Sequence, residues 1–191
     1  MLALAASILF VLIWSTGFIV ARATVPHGAP ELVLAIRLTL VAILLCGAAL
    51  FARQDFPRGR RLALHLLAGA MLHGVYLTVG WWAISRGMPA GIMSLLGSLQ
   101  PLMVAVASVA LLGERLPART WGGLGIAIIG VGCVLMPAIE RSGAGAIGIV
   151  PVVAGIVAVL AMTGGTLIQR GAIAGDPILM SGAAQNAGGA L

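Results

Sequence analysis

Few side chains in this sequence can do chemistry, and those that can sit inside long apolar runs. Arg37 interrupts Leu34-Ala35-Ile36-Arg37-Leu38. Gly69, His73, Tyr76 and Gly80 recur at helical spacing and so share one stripe. Ser94, Gly97, Ser98, Pro101 and Ala105 make a second stripe, with Gln100 beside it. Trp14 and Ser15 lie two-thirds along the first apolar run. A guanidinium holds carboxylates, an imidazole titrates near neutral pH, and hydroxyls and carboxamides trade single hydrogen bonds. This is the chemistry of recognition. Covalent work would want His, Asp, Glu or Cys in a cluster, and none forms. His27, His65 and His73 are scattered, and Cys46 and Cys133 stand alone among apolar neighbours. No catalytic residue, metal or cofactor is expected, and the chain does not read as an enzyme.

Each candidate has a structural use beside a functional one. Arg37 is either a cavity-facing cation for an anionic or zwitterionic solute, or a structural arginine bonded to a neighbouring helix or snorkelling outward. A guanidinium at such depth costs ~2.5–3.5 kcal/mol on insertion scales, so something must compensate it. The His73–Tyr76 stripe either packs closely through its glycines or lines a cavity. Pro101 lacks an amide proton and clashes with the carbonyl four residues back, so a kink is expected there, with backbone acceptors freed. Ser94, Ser98 and Gln100 would line the space beside it. Trp14 is deeper than an interfacial anchor, which makes it a candidate cavity wall. Gly122, Gly123, Gly125, Gly130 and Gly132 read as a close-packing surface.

The elements that must position these residues follow from composition. Of 191 residues, 61% are hydrophobic and 8% charged, against about 25% charged in soluble domains. Water cannot be the solvent over most of this surface. A span needs ~20 mostly apolar residues, and six stretches qualify: roughly 2–21, 32–52, 62–82, 90–112, 118–136 and 146–167. A seventh begins at Ile178 and runs to Leu191. The apolar start lacks the basic region and cleavage site of a signal peptide, so it reads as a retained span.

All 11 basic residues are arginines. They stand singly between apolar stretches, with one cluster of four at Arg53, Arg58, Arg60 and Arg61, a pattern of membrane orientation that gives no nucleic-acid partner. Adding Arg115, Arg119 and Arg170 puts seven on one side, against Arg22, Arg86 and Arg141 on the other. Arginine-rich short loops stay cytoplasmic, so a cytoplasmic N-terminus is expected.

Ile13 to Arg22 and Ala161 to Arg170 share a layout. In each, a hydroxyl residue is followed by a glycine two positions on and an arginine five after that. If the sixth span repeats the first, the unit has five helices, and an odd number inverts the second copy. Inverted repeats place a solute site at their interface near the midplane. The expected organisation is a first repeat over 1–136, a linker over 137–145 and a partial second repeat over 146–191. Two full copies need ten spans, so the chain is expected to be part of a longer protein, with six complete helices and part of a seventh.

Several segments together resemble the EamA-type permeases of the drug/metabolite transporter superfamily. They are Trp14-Ser15-Thr16-Gly17-Phe18, the Arg37 segment, and the run Ala83 to Met136. That run includes Ser94-Leu95-Leu96-Gly97-Ser98-Leu99-Gln100-Pro101 and Leu112-Gly113-Glu114-Arg115-Leu116. The resemblance implies an all-α, ten-helix inner-membrane carrier with both termini cytoplasmic, exporting or exchanging small metabolites. Its partners would be the lipid bilayer and a small-molecule solute, and a homodimer is left open. A non-transporting helical scaffold is the alternative. A small multidrug resistance-type proton antiporter would want a membrane-embedded Glu, but Glu31 and Glu114 are at span ends, and Asp55, Glu140 and Asp176 are in loops.

Overall fold

The computed structural model describes residues 2–24, 28–142 and 148–191, and every regular element among them is helical. In order these are α1 (Leu2–Thr24), α2 (Pro30–Phe51), α3 (Gly59–Gly69), a π-helical stretch (Ala70–Val75), α4 (Tyr76–Ser85), α5 (Ala90–Ser98), α6 (Gln100–Leu112), α7 (Ala118–Ser142), α8 (Ile149–Gly171) and α9 (Ile178–Ala190). Helix is the expected outcome where lipid offers the backbone no hydrogen bonds. Four of the described helices are long and apolar enough to cross a membrane: Pro30–Phe51, Gly59–Ser85, Ala90–Leu111 and Ile149–Gly171. Large apolar side chains face outward, among them Leu44, Ile126 and Ile129, each more than 60% exposed. In water such a surface would aggregate; against lipid it is the stable arrangement.

The ends obey local rules. Pro30 opens α2, where its missing N–H costs nothing, with Glu31 in the positive first turn. Gly113 closes α6 at φ 67°, and the N–H of Glu114 donates to the carbonyl of Ser108 at 3.3 Å. That is a glycine-capped helix stop. Pro137 suggests a helix stop, yet α7 continues to Ser142. A proline deletes one backbone bond and need not end a helix whose other bonds survive. The linker expected over 137–145 is thus helical through Ser142, and the rest of it lies outside the described residues.

Helix α9 packs on α2 and α3. It approaches α3 so closely that a Cβ on Gly69 would fall on the Gln185 backbone, and one on Gly188 on the Leu66 backbone. Helices α2 and α9 run antiparallel. The amide of Met180, at the start of α9, donates to Oε1 of Gln54, just past the end of α2, at 3.1 Å. Arg61 pairs with Asp176, and Arg170 pairs with Glu114 at 3.3 Å. The α2–α3, α6–α7 and α8–α9 connections therefore meet at one end of the helices. The Arg170–Glu114 pair, exposed on both sides, adds no more than ~1 kcal/mol, so it marks the arrangement more than it drives it. The main apolar core is Tyr76, Ala83, Met88, Ile92, Met93, Ala158 and Val159, joining α4, α5 and α8.

Candidate functional site

Between α1, the π-helical stretch, α4, α5, α6 and α8 lies a cavity of about 1000 Å³. Two interruptions of regular helix form its wall. The first is the π-helical stretch, where the Tyr76 N–H bonds the carbonyl of Met71, five residues back. Such wide turns are rare and recur at functional sites. They also rotate the faces on either side, so the single stripe expected from Gly69 to Gly80 divides. Gly69 faces α9, Gly80 packs under Met93, and His73 and Tyr76 line the cavity. A Cβ on Gly97 would meet the Tyr76 hydroxyl at 3.1 Å, so that glycine makes room for the ring.

The second interruption is at Leu99, between α5 and α6, two residues before Pro101. Its N–H bonds only three residues back, to Leu96 at 3.1 Å. Ser94, Ser98, Gln100 and Pro101 all line the cavity around this break. The hydroxyl of Ser94 donates to the carbonyl of Gly91 at 2.8 Å, and that of Ser98 to Leu95 at 2.6 Å. Each has spent its one proton, which leaves lone pairs. Thr166 does the same toward Met162 at 2.9 Å, so its oxygen accepts from Nε2 of Gln100 at 3.0 Å. Nε2 of Gln169 donates to Oε1 of Gln185 at 2.6 Å. With both amide nitrogens turned to protein, both carboxamide oxygens remain. Among the lining residues Arg22 is the cation, there is no carboxylate, and Ile19, Leu72 and Met162 are apolar.

Seven residues singled out by sequence thus share one cavity: His73, Tyr76, Ser94, Gly97, Ser98, Gln100 and Pro101. Arg37 is exposed on α2 and does not line it. The side chains of Trp14 and Ser15 lie outside the described residues. The glycines of α7, read as a packing surface, have no described atom within 4 Å of where a Cβ would be. No group of His, Cys, Asp and Glu among the described residues could hold a metal.

Residues 1–136 match the model of the EamA-like transporter family. The chain belongs to that family. It is accordingly a multi-pass membrane protein of a transporter family, within the drug/metabolite transporter superfamily. It is 31% identical over 130 residues to a Salmonella typhimurium protein named probable amino-acid metabolite efflux pump, an alignment covering 65% of this chain and 40% of that protein. An Escherichia coli protein of the same name is 30% identical over 131 residues, with the same coverage. Protein PecM of Dickeya dadantii is 28% identical over 163 residues, 83% of this chain and 50% of PecM. The chain spans about half or less of the length of these relatives. No solved structure matches it significantly.

In this EamA-like chain the cavity also recruits residues that their types alone did not single out. Arg22, Met162, Thr166 and Gln169 line it, yet in sequence they are a loop arginine and parts of a repeated pattern. Thr166 and Gln169 fall on the α8 face where Gln100 and Gln185 can reach, and only the packing of α8 discloses that face. The Gly113-Glu114 turn gains a reason too. It closes α6 and carries the acid to Arg170, whose other nitrogen donates to buried Ser108 at 3.2 Å.

Proposed function

We propose that the chain supplies the first repeat and the start of the second of an inner-membrane exporter of small amino-acid-like metabolites, working by alternating access. The cavity carries this reading: it lies between the expected first repeat and α8, the first helix of the expected second one. Arg22 suits a carboxylate, the apolar residues suit a hydrocarbon portion, and the oxygens of Ser94, Ser98, Gln100 and Gln169 suit a donor group. The names of the Salmonella and Escherichia coli relatives support the metabolite class and the outward direction.

The inverted repeat is supported by α2 and α9. As second helices of their copies they would be counterparts, and they pack against each other antiparallel. Counterparts meeting at a pseudo-twofold axis in the membrane plane would do so. Six spans with a cytoplasmic N-terminus follow if α1 and α7 also cross, at 23 and 25 residues. The arginine-bearing connections then share the cytoplasmic end, where Arg61, Arg170, Glu114 and Asp176 meet. The site as proposed does not use Arg37.

Counterflow in proteoliposomes tests the function. Vesicles preloaded with an apolar amino acid should take up the labelled compound against its gradient, and protein-free vesicles should not. Absence of counterflow across a panel of amino acids and their metabolites would remove the carrier reading and favour a scaffold.

A further inference from the structure

A line of polar side chains, buried at its middle, leads from the surface to the cavity. Asp176, in the α8–α9 connection, accepts from Nε2 of His65 at 2.8 Å and from Nε of Arg61 at 3.1 Å. His65 is fully buried, and its Nδ1 stands 3.4 Å from Nε2 of Gln185. Gln185, also buried, accepts from Gln169, which lines the cavity. Four side chains from α3, α8, α9 and one connection thus join end to end.

The carboxylate fixes the sense of every link. A carboxylate has no proton to give, so Nε2 of His65 must donate, and in the neutral ring its Nδ1 then accepts. Nδ1 can then only face the NH2 end of Gln185, whose oxygen takes the NH2 end of Gln169. The oxygen end of Gln169 is left for the cavity. Asp176 stays ionised, because the hydrogen bond from His65 first, and the Arg61 guanidinium after it, hold its carboxyl below the ordinary range against the desolvation that burial brings. Helix α9 has no titratable side chain, and Arg170 of α8 is turned to Ser108 and Glu114. The sense of the line is therefore set at Asp176.

We propose that Gln169 Oε1 accepts a hydrogen bond from the ammonium group of the solute, and that Asp176, His65 and Gln185 are the positioning residues that present it. This rests on the cavity being the solute site. Imposing the orientation beforehand spares the carboxamide a reorientation on binding, which is where preorganised sites gain affinity. It also discriminates, because a solute without the donor offers the oxygen no proton.

The test uses the chain in lipid nanodiscs, with leucine and 4-methylpentanoate (leucine without its amino group) as probes. Wild type should prefer leucine by about tenfold, the worth of one hydrogen bond to a charged group. Gln169→Leu and Asp176→Ala should bring the ratio to about one by weakening leucine. Asp176→Asn, whose oxygen can still accept, should keep the preference. Independently of any solute, 15N spectra of histidine-labelled chain should show His65 carrying its proton on Nε2 in wild type, a bias that Asp176→Ala removes. If Asp176→Ala does not insert, Gln169→Leu and the wild-type tautomer decide. Preference persisting in Gln169→Leu, or a proton on Nδ1 of His65, overturns this proposal alone. A wild type that binds neither probe overturns the solute site as well.

Discussion

His65 and Asp176 stand 111 residues apart in sequence and 2.8 Å apart in space, imidazole Nε2 against carboxylate. The contact joins α3 to the α8–α9 connection and brings Arg61 to the same carboxylate. It ties the last described helices to the third at the end where the connections gather.

That contact gives stability a pH dependence with a definite sign. The Asp176 carboxyl is held below its ordinary value of 3.8 in the folded chain, so the unfolded chain takes up the proton first as pH falls. The stabilisation is whole above about pH 4 and disappears as pH drops through the folded-state value. Thermal unfolding in detergent, followed by tryptophan fluorescence at pH 7 and pH 3, should show a larger loss in wild type than in Asp176→Asn. Equal losses would mean that the contact adds nothing.

Close approach of α9 predicts an asymmetry among glycines. Gly69→Leu and Gly188→Leu drive a side chain into helix backbone, which cannot rotate away as a side chain can. Each should destabilise by about 2 kcal/mol or more, at the upper range for overpacking. Gly123→Leu, where a Cβ meets nothing within 4 Å, should leave the unfolding midpoint within error of wild type.

Gln100 and Thr166 should act as a unit. Gln100→Leu or Thr166→Val alone strands a polar partner at a cost of about 1–3 kcal/mol. The double variant should cost less than the sum, with a coupling of about 0.5–1.5 kcal/mol. A double-mutant cycle on solute affinity or thermal stability measures it; strict additivity would mean that the two do not bond in the membrane.

Topology is checked by single cysteines on a background with Cys46 and Cys133 changed to Ala. An impermeant maleimide added to intact cells should miss a cysteine at position 58 and label one at position 86. Labelling of position 58 would invert the proposed orientation.

Four of the expected spans, the helix break near Pro101 and the polar positions were legible because they rest on short-range rules. Apolar run length, a proline without an amide proton and a capping glycine act within a few residues of themselves. What misled was also local reasoning. The stripe from Gly69 to Gly80 presumes 3.6 residues per turn, and the wide turn over Ala70–Val75 breaks that register. Pro137 suggested an end that α7 passes through. The glycines of α7 allowed close packing without requiring it.

The sequence by itself determined that this protein lives in lipid and where its apolar runs lie, and it singled out His73, Tyr76, Ser94, Ser98 and Gln100 as candidate polar positions within them. Family membership rests on sequence as well. Only the tertiary structure decided which polar groups meet. Gln100 finds Thr166 across 66 residues, Gln185 finds His65 across 120, and Arg37 is left outside the cavity. Helical period gives each side chain a face, but which faces confront each other depends on how whole helices pack. In an apolar solvent that choice is settled by close-fitting glycines and by the need to pair every buried donor and acceptor.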